Sequence, residues 1–387
     1  MPSRSPGPSL LRDVADVVLV GVAARGLASA ARRAGLRALV LDLFGDDDTR
    51  ELAVEAIPLR HLAGLRIDPD DLYEQLAVHA GPGVPIVLGT GFEDMPEVVE
   101  RLQKCFRLIG NGARTVAAVK DPVMLDSLLT DLGIPHPRLF AAAAPEGVTA
   151  LEKRVGGSGG CHVQPARQSR GEGWYLQEHV EGRSVSALFL GNGRDARLLA
   201  FSEQWSAPTP EAPYRYGGAA GPIRLAPSME AEIETALKSI VAATGLVGLA
   251  SADLIVGPAG WSLIEINPRP GATLDVFDHP PLPPLLRLHI EACEGRLPDL
   301  PILDPEAVEA VRAAGFLYAP QAFEVWLDPL PDWMADRPAT GTQIEEGEPV
   351  CTVLATGHDI TDARETLARR TDHLWRELST ARRKAAE

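Results

Sequence analysis

Between Asp16 and about Gly110, short apolar runs alternate with segments in which apolar residues recur every three or four positions. The short runs are typical of buried strands, and the longer period is typical of helices. Strands and helices that alternate one for one predict a small, parallel α/β domain of Rossmann-like type. The predicted elements are a strand at Val17 to Val20, a helix at Leu27 to Ala34, a strand at Ala38 to Leu43, a helix at Asp70 to His79, a strand at Pro85 to Gly89 and a helix at Pro96 to Phe106.

The middle of the chain, from about Asn111 to Gly295, is richer in strands and loses this alternation. A helix at Pro122 to Leu132 is indicated by proline at its first position. The segments after it predict an α+β region rather than further parallel units. The β-rich stretches are Leu151 to Val155, Trp174 to Val180 and Val185 to Leu190.

From about Leu300 a smaller segment contains three further apolar runs and then a charged helix from Thr361 to the end. We expect a closing subdomain here, and the predicted division of the chain is residues 1–110, 111–299 and 300–387. The three predicted strands are Ala313 to Tyr318, Ala322 to Trp326 and Val350 to Ala355.

Composition and charge narrow the class of protein. A length of 387 residues predicts two or three domains, and the formal charge of -16 makes nucleic acid and anionic membranes unsuitable partners. The apolar run from Val17 to Ala24 is interpreted as a strand and not as a secretory signal. The cysteines are far apart and lack metal-site spacing, which favours the reducing cytoplasm. They are Cys105, Cys161, Cys293 and Cys351.

A dinucleotide site near the first strand is not supported. Gly21 and Asp42 have suitable spacing, yet the stretch from Gly21 to Gly26 lacks the three glycines that let a pyrophosphate approach the backbone. The acidic run from Asp46 to Asp48 is interpreted as a solvated loop, with a role in substrate binding as the alternative.

The stretch from Leu249 to Arg269 predicts a β-hairpin with acidic residues on one face. A turn centred on Ala259 places Asp253 directly opposite Glu265, and Ser251 opposite Asn267. Two carboxylates directly opposite each other on paired strands repel each other unless a cation lies between them.

Oxygen ligands of this kind suit magnesium, with manganese as a substitute. Asp253, Glu265 and Asn267 are therefore the candidate metal ligands, and Arg269 is a candidate for binding anionic oxygens in the same cleft. The alternative is a surface hairpin with solvated carboxylates and a structural arginine.

Upstream lies a second candidate site, in which Lys153 occupies an apolar strand that leads into a glycine-rich loop. Such loops expose backbone amides and can hold phosphates, although flexible hairpin tips have the same composition. Lys120, just before a predicted helix, would add a second cation. The loop residues are Gly156, Gly157, Ser158, Gly159 and Gly160.

The strand from Trp174 ends in a Glu-Gly step at Glu181. Such an edge offers backbone groups to an adenine ring and a carboxylate to a ribose. The residues of this candidate nucleotide edge are Gln177, Glu178, Val180 and Glu181.

In order and spacing, these groups resemble the ATP-grasp family over about Asn111 to Asp275. The resemblance implies a pre-ATP-grasp domain at the start, an ATP-grasp domain of two lobes with ATP between them, and a small C-terminal subdomain. It implies that Lys120, Lys153 and the glycine loop bind ATP phosphates, and that the nucleotide edge contacts adenine and ribose. It also implies magnesium at Asp253, Glu265 and Asn267, with Arg269 and Lys153 acting in catalysis.

Three stretches further resemble carboxylate–amine ligases similar to tyramine–glutamate ligase, which serve methanofuran and tetrahydromethanopterin-type one-carbon cofactors. They are Asp42 to Asp48, Tyr214 to Gly218 and Glu265 to Pro270. The implied reaction activates a carboxylate as an acyl phosphate and passes it to an amine. Small-molecule substrates are the implied partners, together with a homodimer.

Two other classes remain open. The loop also satisfies Gly-x-Ser-x-Gly, so Ser158 is a candidate hydrolase nucleophile, although the sequence after it does not predict the required helix. The same fold also accommodates a protein that senses ATP without consuming it.

Overall fold

The computed structural model describes residues 15–62, 64–81, 83–326 and 330–385, with side chains as far as residue 379. Residues 1–14 of the predicted first domain and residues 386 and 387 of the predicted last helix lie outside the described residues. In the part of the chain that is described, no helix combines the length and hydropathy that a membrane crossing requires.

The N-terminal part is the predicted parallel α/β layer. Its strands pair in parallel in the order β3-β2-β1-β6-β7. Every residue of β1 and β2 is buried, as expected for parallel strands covered on both faces. The elements are β1 (Val17–Val20), α1 (Arg25–Arg33), β2 (Ala38–Asp42), α2 (Asp47–Leu52), β3 (Glu55–Pro58), β4 (His61–Leu62), β5 (Arg66–Ile67), α3 (Pro69–His79), β6 (Pro85–Leu88), α4 (Pro96–Cys105) and β7 (Arg107–Leu108).

The next part begins with two helices and a small antiparallel sheet in the order β10-β9-β11-β8. This sheet carries the glycine-rich loop between β9 and β10. The elements are α5 (Ala113–Lys120), α6 (Pro122–Asp131), β8 (Leu139–Phe140), β9 (Ala150–Arg154), β10 (Gln164–Pro165) and β11 (Trp174–Glu178).

A larger antiparallel sheet follows, in the order β16-β15-β12-β13-β14-β17-β21-β19. Helix α7 packs against it, beginning at a proline and ending at Gly245, whose φ of 70° suits a helix C-cap. Its elements and those that follow them are β12 (Arg183–Asn192), β13 (Ala196–Ser206), β14 (Tyr216–Ile223), α7 (Pro227–Thr244), β15 (Val247–Gly257), β16 (Gly260–Asn267), α8 (Leu274–Phe277) and α9 (Leu285–Cys293).

The last segment extends this same sheet, because β17 pairs with β14 and β21 pairs with β17. The predicted strand at Ala322 to Trp326 is shorter in the structure, and the predicted terminal helix is present. A boundary at residue 299 therefore divides the chain but not the sheet, and the three-part division stays a proposal. The elements are a 3₁₀ helix (Pro305–Ala307), β17 (Val311–Tyr318), β18 (Phe323–Glu324), β19 (Met334–Ala335), β20 (Gln343–Ile344), β21 (Pro349–Gly357) and α10 (Ile360–Ala385).

A buried arginine joins the N-terminal layer to the rest of the molecule. Both ends of the Arg25 guanidinium are engaged: Nη1 donates to Asp275 Oδ1 at 2.5 Å and Nε donates to Asp336 Oδ1 at 3.0 Å. The Arg25 side chain is only 6% exposed. Removing one partner of such a buried pair leaves an uncompensated charge, so the pairs hold the segments in one arrangement.

The prediction that Asp46 to Asp48 form a solvated loop is wrong. Asp46 and Asp48 are each 8% exposed, and Asp48 accepts hydrogen bonds from the backbone N–H groups of Asp336 and Arg337, both at 2.9 Å. Local polarity indicated solvent, whereas the partners of this run come from the far end of the sequence.

We expect Asp46→Asn to flatten the pH dependence of stability. Burial, and then Asp336, Asp42 and Asp48, raise the pKa of Asp46 from 3.8 to about 8. Between these values the folded protein holds a proton that the unfolded chain has lost, so the free energy of unfolding falls as pH rises.

The variant should therefore be more stable than the wild type by more than about 1 kcal/mol near pH 8, with a smaller difference near pH 5. Urea unfolding at both pH values measures this. Asp47→Asn is the matched control, because Asp47 is only half-buried. A difference that does not grow with pH would contradict the interpretation.

Candidate active site

Strands β15 and β16 form the predicted hairpin, and the predicted pairing is confirmed. Asp253 lies opposite Glu265, and Ser251 lies opposite Asn267. The position of the turn and the regularity of the pairing differ from the prediction. The turn closes tightly between Gly257 and Gly260, and a β-bulge after Asp253 shifts the pairing by one residue.

Neutral donors surround the Asp253 carboxylate. The Ser186 hydroxyl donates to Oδ1 at 2.9 Å, and Asn267 Nδ2 donates to Oδ2 at 3.0 Å. Gln204 Nε2 lies 3.3 Å from Oδ1. Burial raises the pKa of Asp253, and the nearby Glu265 raises it further.

Lys120, at the end of α5, supplies the positive charge for this pair. Its ammonium group donates to Glu265 and lies 3.4 Å from Asn267 Oδ1. Burial alone would raise the pKa of Glu265, but Lys120 and then Lys153 outweigh it and lower the pKa. The charge that the sequence predicted between the two carboxylates is thus partly provided by a lysine.

Lys153 lies on the predicted strand, now β9, and its Nζ donates to Gln177 Oε1 of β11 at 2.7 Å. Burial lowers the pKa of Lys153 to about 8. The pairing of β9 with β11 brings the two side chains together.

Lys120, Lys153, Gln177 and Glu265 line one cavity, which is partly open to solvent. Its lining is mixed. The polar part includes both lysines, Glu265 and the glycine loop. The less polar side chains of the lining are Val119, Leu125, Leu129, Pro137, Leu139, Val163, Tyr175 and Leu263.

The glycine loop lies closed against neighbouring segments. The Gly159 carbonyl accepts a hydrogen bond from the Tyr216 N–H at 2.9 Å. A β-carbon at Gly160 would overlap the Tyr214 carbonyl oxygen, and one at Gly156 would lie 2.7 Å from Asp94 Cβ. Only glycine allows these approaches, and the positive φ values of Gly156 and Gly160 require it as well.

Other predicted residues lie outside the cavity lining. Glu178 forms an ion pair with Arg138, with Nε and Oε2 2.8 Å apart. Val180 and Glu181 follow β11 and, among the described residues, are not part of the lining. Their roles at the nucleotide edge stay predictions.

Arg269 faces the N-terminal layer. Its Nε donates to Glu93 Oε1 at 2.8 Å, and this contact belongs to a second, smaller cavity. Burial opposes ionisation of Glu93, but Arg269 and then Lys120 lower its pKa to about 2. Glu93 was missed in the sequence, although it follows β6 at the carboxyl edge of the parallel sheet, where binding groups are expected.

Further residues of the site had no clear signal in the sequence. Ser186 and Gln204 reach Asp253 from strands β12 and β13. His162 and Tyr175 line the main cavity. Each is a single polar residue whose position depends on strand pairing.

The donor set fits a divalent cation in type. Asp253, Glu265 and Asn267 offer carboxylate and amide oxygens, as magnesium prefers. Within the described residues, no group of three or more His, Cys, Asp or Glu side chains is arranged to hold a metal. Any ion here would need further oxygens from a ligand.

The context of Ser158 does not match a hydrolase nucleophile. Residues 156–163 form turns, and the next element is β10. The strand-to-helix turn that a nucleophile elbow requires is not found in this described stretch.

We expect Gly160→Ala to open the glycine loop. The added methyl group would displace the loop from Tyr214 and weaken the hydrogen bond from the Tyr216 N–H. Hydrogen–deuterium exchange of a peptide that contains Tyr216 should be faster by roughly tenfold or more, as for a loss of about 1.4 kcal/mol.

Gly159→Ala is the matched control. Gly159 has a similar positive φ of 69°, but a β-carbon there meets no atom within 4 Å. Both variants carry backbone strain, and only Gly160→Ala adds the overlap. Equal exchange rates in the two variants would show that the contact with Tyr214 does not hold the loop.

Residues 119–273 match the family model described as the ATP-grasp domain. No curated protein sequence matches the chain. Among solved structures, Rhizobium etli pyruvate carboxylase superposes with a TM-score of 0.69 at 16% identity, over 92% of this chain and 37% of that one. The chain thus spans little more than a third of that enzyme's length.

Two further structures superpose over most of both chains. The biotin carboxylase domain of Hydrogenobacter thermophilus 2-oxoglutarate carboxylase, in complex with MgADP, ADP and bicarbonate, gives a TM-score of 0.66 at 13% identity, over 89% of this chain and 86% of that one. Bacillus licheniformis L-amino acid ligase gives 0.64 at 14% identity, over 92% and 97%. Such identities establish the fold alone. The chain therefore has the ATP-grasp fold.

Proposed function

We propose that the protein is an ATP-dependent carboxylate–amine ligase that forms an amide through an acyl phosphate, with release of ADP and phosphate. The main support is the convergence of Lys120, Lys153, the glycine loop and Glu265 on one cavity, with Asp253 directly opposite Glu265 in the hairpin. This arrangement concentrates cations and backbone amides around one partly open cavity.

The mixed lining of the cavity suits both parts of ATP. Its apolar side chains suit the adenine ring, and its two lysines suit the phosphates. Glu178, Val180 and Glu181 are proposed to approach adenine and ribose. The Glu178 carboxylate already forms an ion pair with Arg138.

Asp253, Glu265 and Asn267 would hold magnesium together with phosphate oxygens. When bound, the ion would neutralise charge on the transferring phosphoryl group. Lys120 already offsets part of the negative charge of Glu265, and so keeps the pair compatible with a polyanionic ligand.

In the first step, an oxygen of the substrate carboxylate attacks the γ-phosphorus in line, and ADP leaves. An amine then attacks the acyl carbon, phosphate leaves with the former carboxylate oxygen, and the amine loses a proton. Lys153 steadies the phosphoryl group in the first step. Arg269 is assigned to the acyl phosphate, which it would have to reach from its place beside Glu93 in the second cavity. The closed glycine loop excludes water, which would otherwise hydrolyse the intermediate.

The substrate class follows from the subgroup resemblance, and we place glutamate and aromatic amines related to one-carbon cofactor synthesis first among candidates. Of the three stretches that carry this resemblance, Asp42 to Asp48 is engaged within the protein. Asp42 accepts hydrogen bonds from the backbone of Ala24 and Gly45, and Asp48 from that of Asp336 and Arg337. Its contribution to substrate choice is therefore the weakest. A homodimer is also proposed.

The experiment is ADP release with magnesium and ATP against pairs of carboxylates and amines, including glutamate, bicarbonate and tyramine. We expect ADP release to depend on one pair, and Glu265→Gln to reduce kcat at least a hundredfold, as for loss of a group that acts on the transition state. Glu203→Gln is the control, because Glu203 pairs with Arg183 and Arg364 away from the cavity.

Two results would contradict the proposal. One is nucleotide binding without turnover on any pair, which would favour an ATP sensor. The other is unchanged turnover in Glu265→Gln.

A further inference from the structure

His162 stands at the far end of the glycine loop and lines the same cavity as Lys120 and Lys153. The face of its imidazole ring packs over Gly157. A β-carbon on Gly157 would lie 2.6 Å from the Cδ2, Cε1 and Nε2 atoms of the ring. The bare glycine thus makes room for the ring and fixes it on the inner surface of the loop.

Both ring nitrogens of His162 are free. In the part of the chain that the structure describes, neither takes part in a hydrogen bond or an ion pair. His136, which also lines the cavity, differs. Its Nδ1 lies 2.7 Å from the Ile134 carbonyl oxygen, and its Nε2 lies 3.4 Å from Asp126 Oδ1.

Burial keeps the His162 ring neutral, with help from three nearby cations. Burial lowers its pKa to about 4; Glu265 opposes this, and Arg154, Lys153 and Lys120 reinforce it. A neutral imidazole carries one N–H donor. Such a donor can bind a phosphate oxygen without adding a third buried cation beside the two lysines.

We propose that His162 binds the terminal phosphate of the nucleotide through a ring N–H group. This inference rests on the proposed function, since it requires a nucleotide in the main cavity. The terminal phosphate is specified because His162 lines the same cavity as both lysines and Glu265, the groups assigned above to the transferring phosphoryl group. As part of the loop, His162 would bind fully only when the loop is closed.

Calorimetric titration of the full chain tests this. The probes are magnesium adenylyl imidodiphosphate, which retains the terminal phosphoryl group, and magnesium ADP, which lacks it. In His162→Phe, we expect the dissociation constant for the first to rise roughly tenfold and that for ADP to change less than about twofold, as for loss of one hydrogen bond to a charged group.

Two further variants sharpen the result. His162→Asn keeps an N–H donor and should recover part of the lost affinity. His136→Phe removes the other cavity histidine, whose nitrogens already have partners, and should leave the affinity ratio of the two probes unchanged.

The inference and the proposed function fail differently. If the wild type binds neither probe, the proposed function fails. If the wild type binds both and His162→Phe weakens them equally, or weakens neither, the assignment of His162 is overturned and the nucleotide site stands. Retained ADP binding in His162→Phe also shows that the variant is folded.

Discussion

Two carboxylates that face each other across a hairpin set the main constraint on this structure. Asp253 and Glu265 are paired by strand register, and neither can move away without breaking the sheet. Their repulsion is reduced by Lys120 from α5, while hydrogen bonds from Ser186 and Asn267 stabilise Asp253. The pair therefore requires positive charge nearby, and the end of α5 supplies it next to the large sheet.

Because the carboxylates require positive charge, the electrostatics of the site depend on how the two sheets are arranged. Lys153 comes from the small sheet, and its lowered pKa of about 8 shows how incompletely Gln177 compensates its burial. A polyanionic ligand with a divalent ion would satisfy the lysines and the carboxylates together. The charges of the lysines and carboxylates are thus fully compensated only when both sheets and a ligand contribute to the site. For this reason we infer that a nucleotide binds there.

The N-terminal layer contributes in two ways. The buried Arg25 pairs fix it against the segments that contain Asp275 and Asp336. Glu93, at the carboxyl edge of the same layer, orients Arg269. The position of the arginine that follows the hairpin therefore depends on a domain far from it in sequence.

Much of this arrangement could be predicted from the sequence, because it depends on local periodicity. The period of two along β15 and β16 places Asp253 and Glu265 on one face, and the pairing was predicted even though the β-bulge was not. Helix α7 was missed, although Pro227 and Gly245 mark its ends.

The remaining features depend on long-range contacts. The acidic run at Asp46 to Asp48 looks solvated until Arg25 and residues near 336 are brought beside it. Likewise, Lys153 meets Gln177, and Arg269 meets Glu93, only through the pairing of separate elements. No local pattern shows such partners, so sequence alone could not provide them.

Phosphorylation of a substrate carboxylate in the main cavity can be followed with ¹⁸O once the acid has been identified. With ATP, the amine and the labelled acid present, we expect one ¹⁸O from each carboxylate that reacts to appear in inorganic phosphate. Amide formation with unlabelled phosphate would rule out an acyl phosphate.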